Sequence, residues 1–157
     1  MRRIAFVAMS SALAFGSLQA QVPIQPAQTD FSYWPVSPGA WTYRAVTGGS
    51  EAAFVDGAGA TRMVIACGKL TRLVTLSRIS GAPASSLSFW TSSDSRNLAS
   101  RFDQPSGRII AQVGGMDPLL DAIAFSRGRF AVSMPGSPAL VMPAGTEIAH
   151  VVEDCRA

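Results

Sequence analysis

Two cysteines, Cys67 and Cys155, constrain this chain more than any other feature, because each lies on an apolar stripe of a different period. Met63, Ile65 and Cys67 recur at every second position, which is the period of a strand with one face on a core. Ile148, Val151, Val152 and Cys155 fall at i, i+3, i+4 and i+7, one stripe of a helix running from about Thr146 to Arg156. Both patterns aim a thiol inward. A bridge between them would staple the last helix onto a core strand, and an even cysteine count in an exported chain points to such a bridge. A metal site would need more soft or imidazole ligands than two thiols and the single histidine, His150. No metal and no cofactor is expected.

The export argument comes from the first twenty positions. Arg2 and Arg3 precede an apolar run from Ile4 to Phe15, and Ser17-Leu18-Gln19-Ala20 ends on a small residue. That is the layout of a secretory signal peptide, assigned to 1–20. A retained anchor is the alternative, but about twelve apolar residues is short against the roughly twenty that span a bilayer. No later stretch is long and apolar enough, so the mature chain is expected to have no transmembrane segment and to be periplasmic or secreted.

Removing the signal also removes most of the basicity. Arg2 and Arg3 leave with it, which takes 13 cationic side chains to 11 against 10 acidic ones. The remaining arginines and Lys69 are dispersed. A nucleic-acid footprint needs clustered cations, so no nucleic-acid partner is expected.

Residues 21–40 are rich in proline and glutamine and have no regular period, which reads as an extended leader. Phe31, Tyr33 and Trp34 within it are read as docking on the domain, with a partner-binding aromatic segment as the sharper alternative. From Trp41 to the end the chain reads as a single β-rich domain. Short alternating segments follow one another: Trp41 and Tyr43, Ala52 and Phe54, Met63 to Cys67, Leu70–Arg78, Leu87 to Ser92, Asn97–Phe102, Arg108–Val113, Phe130 to Met134, and Leu140–Met142. Asp56-Gly57-Ala58-Gly59 supplies a hairpin turn. Asp117-Pro118 is an N-cap followed by proline at the first helical position, with Leu119, Leu120, Ile123 and Ala124 on the apolar face and Gly128 as C-terminal cap. The expected fold class is α+β: a mainly antiparallel β sandwich or bent sheet of eight or nine short strands, with two short helices, the C-terminal one disulfide-linked to a core strand.

Chemical motifs are sparse. Asp56-Gly57-Ala58-Gly59 resembles the Asp-Thr/Ser-Gly loop of retroviral-type aspartic proteases, but Gly57 stands where the supporting hydroxyl belongs. The same glycines lie between strands rather than before a helix, so they make no phosphate cradle. Asp117 and Asp121 lie close at one helix start, where negative charge is favoured by the exposed N–H groups without any catalytic role. His150 sits beside an apolar pair on the last helix, and no serine or free cysteine pairs with a base. Arg127 and Arg129 flank Gly128 beside Ser126 and could clamp a carboxylate or phosphate. Trp90 faces opposite Leu87 and Phe89, on the outer side among serines, where a tryptophan can anchor an interface or be covered by a loop or the leader. No catalytic set emerges.

The stretch from Asp117 to Phe130 and the ending Glu147-Ile148 to Glu153-Asp154-Cys155-Arg156 resemble a group of small uncharacterised exported proteins of alphaproteobacteria, over about residues 41 to 157. More loosely, the layout is similar to the invasion-associated locus B proteins and the VasI-type accessory proteins of type VI secretion, which also have a leading tryptophan, a β domain and a cysteine bridge. The resemblance implies no activity. The function expected from the whole is a non-enzymatic envelope protein that binds another envelope protein or ligand through Trp90, Arg127 and Arg129. The alternative is a hydrolase built on Asp117, Asp121 and His150.

Overall fold

The computed structural model describes residues 30–157. Residues 1–20, expected to be a signal peptide, and residues 21–29 of the expected leader lie outside the described residues. Ten strands and two helices follow in the order β1 (Gly39–Val46), β2 (Gly49–Asp56), β3 (Thr61–Gly68), β4 (Leu73–Ile79), β5 (Ser86–Trp90), β6 (Ser95–Ala99), β7 (Arg101–Asp103), β8 (Arg108–Gly114), α1 (Pro118–Ala124), β9 (Arg129–Met134), β10 (Ser137–Pro143) and α2 (Thr146–Arg156). They form a six-stranded sheet, β1-β2-β3-β4-β8-β7, and a four-stranded sheet, β10-β9-β5-β6, paired antiparallel.

The alternation read from the sequence is the packing rule. Phe54, Met63, Ile65, Leu76 and Ile109 point inward from the large sheet, and Leu87, Phe89, Phe130, Val132 and Met142 from the small one. Helix α2 lies against β1 to β4 and α1, and Ile148, Val151, Val152 and Cys155 are its buried stripe. Cys155 is bridged to Cys67 on β3, with Cα atoms 5.4 Å apart and a sequence separation of 88. Arg156 ties α2 to α1 through two bonds to the Asp121 carboxylate, at 2.8 and 3.0 Å.

Three local expectations are corrected. Asn97–Phe102 is not one strand. The chain leaves β6 at Ser100, whose N–H and hydroxyl donate to Ser85 and Ala84 carbonyls, and β7 then joins the other sheet, which gives ten strands in place of eight or nine. The strand expected from Leu70 starts at Leu73, because Lys69 to Arg72 form a turn closed by the Arg72 N–H on the Gly68 carbonyl at 2.8 Å. Helix α1 ends with Phe125 as its C-cap, not Gly128, since the Phe125 N–H closes on the Asp121 carbonyl. Gly128, at φ +75°, instead makes the left-handed step into β9.

Candidate functional site around Trp90

Trp90 ends β5 with its indole on the outer face of the small sheet, opposite the inward-facing Phe89. Beside it on that face are Ala131 of β9 and Val141 of β10. Phe31 of the leader lies on these two side chains, buried, and meets Trp90 edge-on with ring centroids 6.1 Å apart. Trp34 also meets Phe31 edge-on, with ring centroids 5.0 Å apart. The Ser37 N–H donates to the Val141 carbonyl at 2.8 Å, which fixes the leader to the edge strand β10 before it enters β1. Phe31 thus half-covers Trp90, while Tyr33 stays exposed and Trp34 largely so.

The two arginines singled out by sequence reach the same surface by different routes. The Arg129 guanidinium donates to the Trp34 carbonyl, so it holds the leader. Arg127 is joined to the β5–β6 turn through its backbone: its N–H donates to the Ser92 hydroxyl at 2.9 Å, and its exposed side chain has no hydrogen bond or ion pair among the described residues. Ser126 is buried. Its hydroxyl accepts from the Ser92 N–H at 3.0 Å and donates to the Arg129 carbonyl. A clamp of Arg127, Arg129 and Ser126 is therefore not formed, because two of its three groups are engaged within the protein.

Between the leader and the turn lies a shallow open depression of about 520 Å³, lined by Asp30 and Ser32 on one side and by Trp90 and residues 91–95 on the other. The turn is held from within by Thr91, whose hydroxyl accepts from the Asp94 N–H at 2.8 Å and donates to the Asp94 carbonyl at 2.9 Å. Asp94 and Asp30 each use one carboxylate oxygen on a backbone N–H, of Ser95 and Ser32 respectively, both at 2.8 Å. The hydroxyl and backbone N–H of Ser32 hold the Asp30 carboxyl below its ordinary value. No cationic side chain lines the depression.

The other sequence candidates are dispersed. Asp56 turns its carboxylate onto the N–H groups of Ala58 and Ala60, at 3.0 and 2.9 Å, in the hairpin turn the sequence specified. Asp117 caps α1 through the Leu119 N–H at 2.9 Å and is paired with Arg96, whereas Asp121 is paired with Arg156. Burial opposes ionisation of Asp117, but Arg96 and the Leu119 N–H outweigh it, and its carboxyl is held below the usual range. His150 is exposed on α2, edge-on to Tyr43 at 5.7 Å. Asp117 and Asp121 are thus each paired with a different arginine, and His150 lies against Tyr43.

One polar cluster escaped the sequence reading. The Tyr43 hydroxyl donates to Asp154 at 2.7 Å, Lys69 approaches the other carboxylate oxygen at 3.8 Å, and the buried hydroxyl of Ser50 lies against the pair without a well-formed hydrogen bond. The Ser50 and Tyr43 hydroxyls, then Lys69 and His150, hold the Asp154 carboxyl below its ordinary value, and Asp154 in turn raises the Tyr43 phenol. The only advance signal was the i, i+4 spacing of His150 and Asp154, since Tyr43 lies 111 residues away. Among the described residues no three His, Cys, Asp or Glu side chains gather to hold a metal ion, and no helix is long and apolar enough to cross a membrane.

The fold and this surface define a two-sheet, disulfide-stapled β domain with an aromatic leader folded over one outer face. Compared with known proteins, the chain has no significant match to a family model, a curated protein or a solved structure.

Proposed function

We propose that this chain is an exported, non-enzymatic binding module of the cell envelope, periplasmic or secreted, whose contact surface is the Trp90 turn with the leader and Arg127. The observation that carries the reading is convergence. Trp90, Arg127 and Arg129 are separated in sequence, yet each is joined to the same turn or to the leader that covers it. The signal-like start and the buried Cys67–Cys155 bridge support an oxidising compartment. The two carboxylates on which a hydrolase would have rested are each held by an arginine.

Crosslinking in intact cells, followed by envelope fractionation and mass spectrometry, tests this. The mature protein is expected to be retained on one reproducible envelope component, and Trp90→Ala or Arg127→Glu should release it without unfolding the domain. Retention that ignores both substitutions, or no retention of an abundant protein, would overturn the proposal. Arg129→Glu is the less clean probe, because it also releases the Trp34 carbonyl.

A further inference from the structure

We infer that the free edge of β1 is the seam of a homodimer, in which two copies of β1 pair antiparallel across a two-fold axis. The large sheets of the two copies would then run on as one. This edge belongs to the large sheet and the Trp90 turn to the small one, so neither surface depends on the other. An open edge offers a row of unpaired N–H and C=O groups, and proteins that stay monomeric blunt it. Three of the four sheet edges here are blunted, each by a different device. Strand β7 is only three residues long. Strand β6 carries an inward charge, since Arg96 lies opposite the core residue Phe89 and pairs with Asp117. Strand β10 has Pro138, an interrupted register and the Ser37 N–H bonded to its Val141 carbonyl. Strand β1 has none of these. Its eight residues pair with β2 in unbroken register, it contains no proline or lysine, and all but Trp41 are exposed. Its one charge, Arg44, is neutralised by Glu51 at 2.6 Å. Among the described residues, no hydrogen bond outside the β1–β2 ladder reaches the β1 backbone.

Self-complementarity names the occupant. A two-fold pair must set residues of the same parity opposite each other, or the core face of one copy would continue into the outer face of the other. Centring the pair on Tyr43 satisfies this from Ala40 to Val46. Trp41 of one copy then lies opposite Ala45 of the other, Ala40 opposite Val46, and Thr42 opposite Arg44, large against small throughout. The two Tyr43 rings meet at the axis as an aromatic cross-strand pair. Centring on Arg44 instead would set like charges directly opposite, which is unfavourable. Centring on Thr42 would set Trp41 against Tyr43 twice and run Val46 onto Pro38, which has no N–H to give. The strand is also rigid before it pairs. Trp41 donates to the Pro143 carbonyl at 2.8 Å and Tyr43 to Asp154 at 2.7 Å, so its side chains are already anchored to the domain.

Sedimentation of the mature, disulfide-intact protein over a concentration series tests the inference, with hydrogen exchange at both ends of the series. A reversible monomer–dimer equilibrium is expected, in which every second amide of β1 slows on association while those of β3 keep their rates. Thr42 is exposed and makes one long bond, at 3.3 Å to the Ala53 carbonyl, so Thr42→Lys and Thr42→Glu perturb the monomer alike. Their effects on the dimer should differ in sign, because each faces Arg44 of the other copy. Thr42→Glu is expected to associate about tenfold more tightly than Thr42→Lys, two opposite-charge pairs replacing two like-charge ones. Equal thermal midpoints of the two variants at dilution separate a lost dimer from a lost fold. A protein that stays monomeric up to about 100 μM would overturn the inference. So would a dimer that responds equally to both substitutions, since its seam lies elsewhere. Alternate β1 amides already protected in the monomer would overturn it too, as the edge is then covered by the chain's own residues. Protection that arises only on adding envelope extract would give the edge to a strand of another protein and end the homodimer.

Discussion

The guanidinium of Arg78, on β4, donates to the carbonyl of Val132, on β9, at 2.7 Å across the core. Arg78 sits on the inner face of the large sheet, in register between Met63 and Ile109. Its other nitrogen reaches the Pro138 carbonyl and, at 3.5 Å, the Ser137 hydroxyl, where the β9–β10 pairing is interrupted by a bulge. No carboxylate is paired with it among the described residues. Burial first, and then the charge of Arg62, pushes its pKa down to about 10, so it stays protonated at neutral pH. The charge is held by carbonyl dipoles left over from an irregular hairpin, and the two sheets are joined by it.

Arg78→Ala is therefore expected to destabilise the domain by about 3 kcal/mol, since it leaves buried carbonyls without donors and opens a void. Arg78→Met should cost less, about 1–2 kcal/mol, because it refills the space but not the hydrogen bonds. Urea denaturation of both variants measures this. A methionine variant as stable as the parent would show that the bulge carbonyls find water and do not need the guanidinium.

The staple was legible in sequence because its two ends carry independent periodicities, of a strand at Met63-Ile65-Cys67 and of a helix at Ile148-Val151-Val152-Cys155. The inward position of Arg78 was also on the page, since it continues the alternation of Val74 and Leu76, but a charge on a core stripe reads as the end of the stripe until an acceptor is seen. The division of β6 from β7 was not legible. Only Ser100 separates them, and alternation reports which face a residue takes, not which sheet its strand joins. At the candidate site, the outward position of Trp90 followed from Leu87 and Phe89. Its partial cover by Phe31 and the engagement of Arg129 by Trp34 depend on contacts across distant segments that no local pattern encodes.

Reduction of the Cys67–Cys155 bridge should remove a large part of the stability. The chain-entropy model gives a closed loop of this size, 88 residues, about 4–5 kcal/mol. The double variant Cys67→Ala/Cys155→Ala is expected to lose about 2–5 kcal/mol in denaturant unfolding. Helix α2 should be the first element cut by protease, because without the bridge it is held to the large sheet by one apolar stripe and by exposed polar contacts such as Tyr43–Asp154.

The acid limb of the stability curve should carry the signature of Asp117. Its carboxyl is held below the ordinary value of 3.8 in the folded protein, so its contribution is present above that pH and is lost as pH falls through the folded value. Asp117→Asn keeps the cap on Leu119 and removes the ion pair with Arg96. It should cost about 0.5–1 kcal/mol at neutral pH, and the gap to the parent should close as pH falls through the folded value, below the ordinary carboxylate range. A gap that stays constant with pH would mean that the pair with Arg96 adds nothing to stability.

The leader should undock without unfolding the domain. Phe31 is buried, but what it covers is the outer face of the small sheet, Ala131 and Val141, and not the main core. Its loss can be met by local detachment, so the global stability should fall by only about 1 kcal/mol in Phe31→Ala, well under the value for a phenylalanine in a closed core. Local opening has a direct reporter in the Ser37 N–H, which is bonded to the Val141 carbonyl. Its hydrogen exchange is expected to accelerate about tenfold or more in the variant, as a local free-energy loss of roughly 1.4 kcal/mol requires, while the amides of β3 and β4 keep their rates. Protection at Ser37 that survives the substitution would place the leader's anchor elsewhere, at the Arg129–Trp34 contact, and Phe31→Ala/Arg129→Ala would then be the variant that frees it.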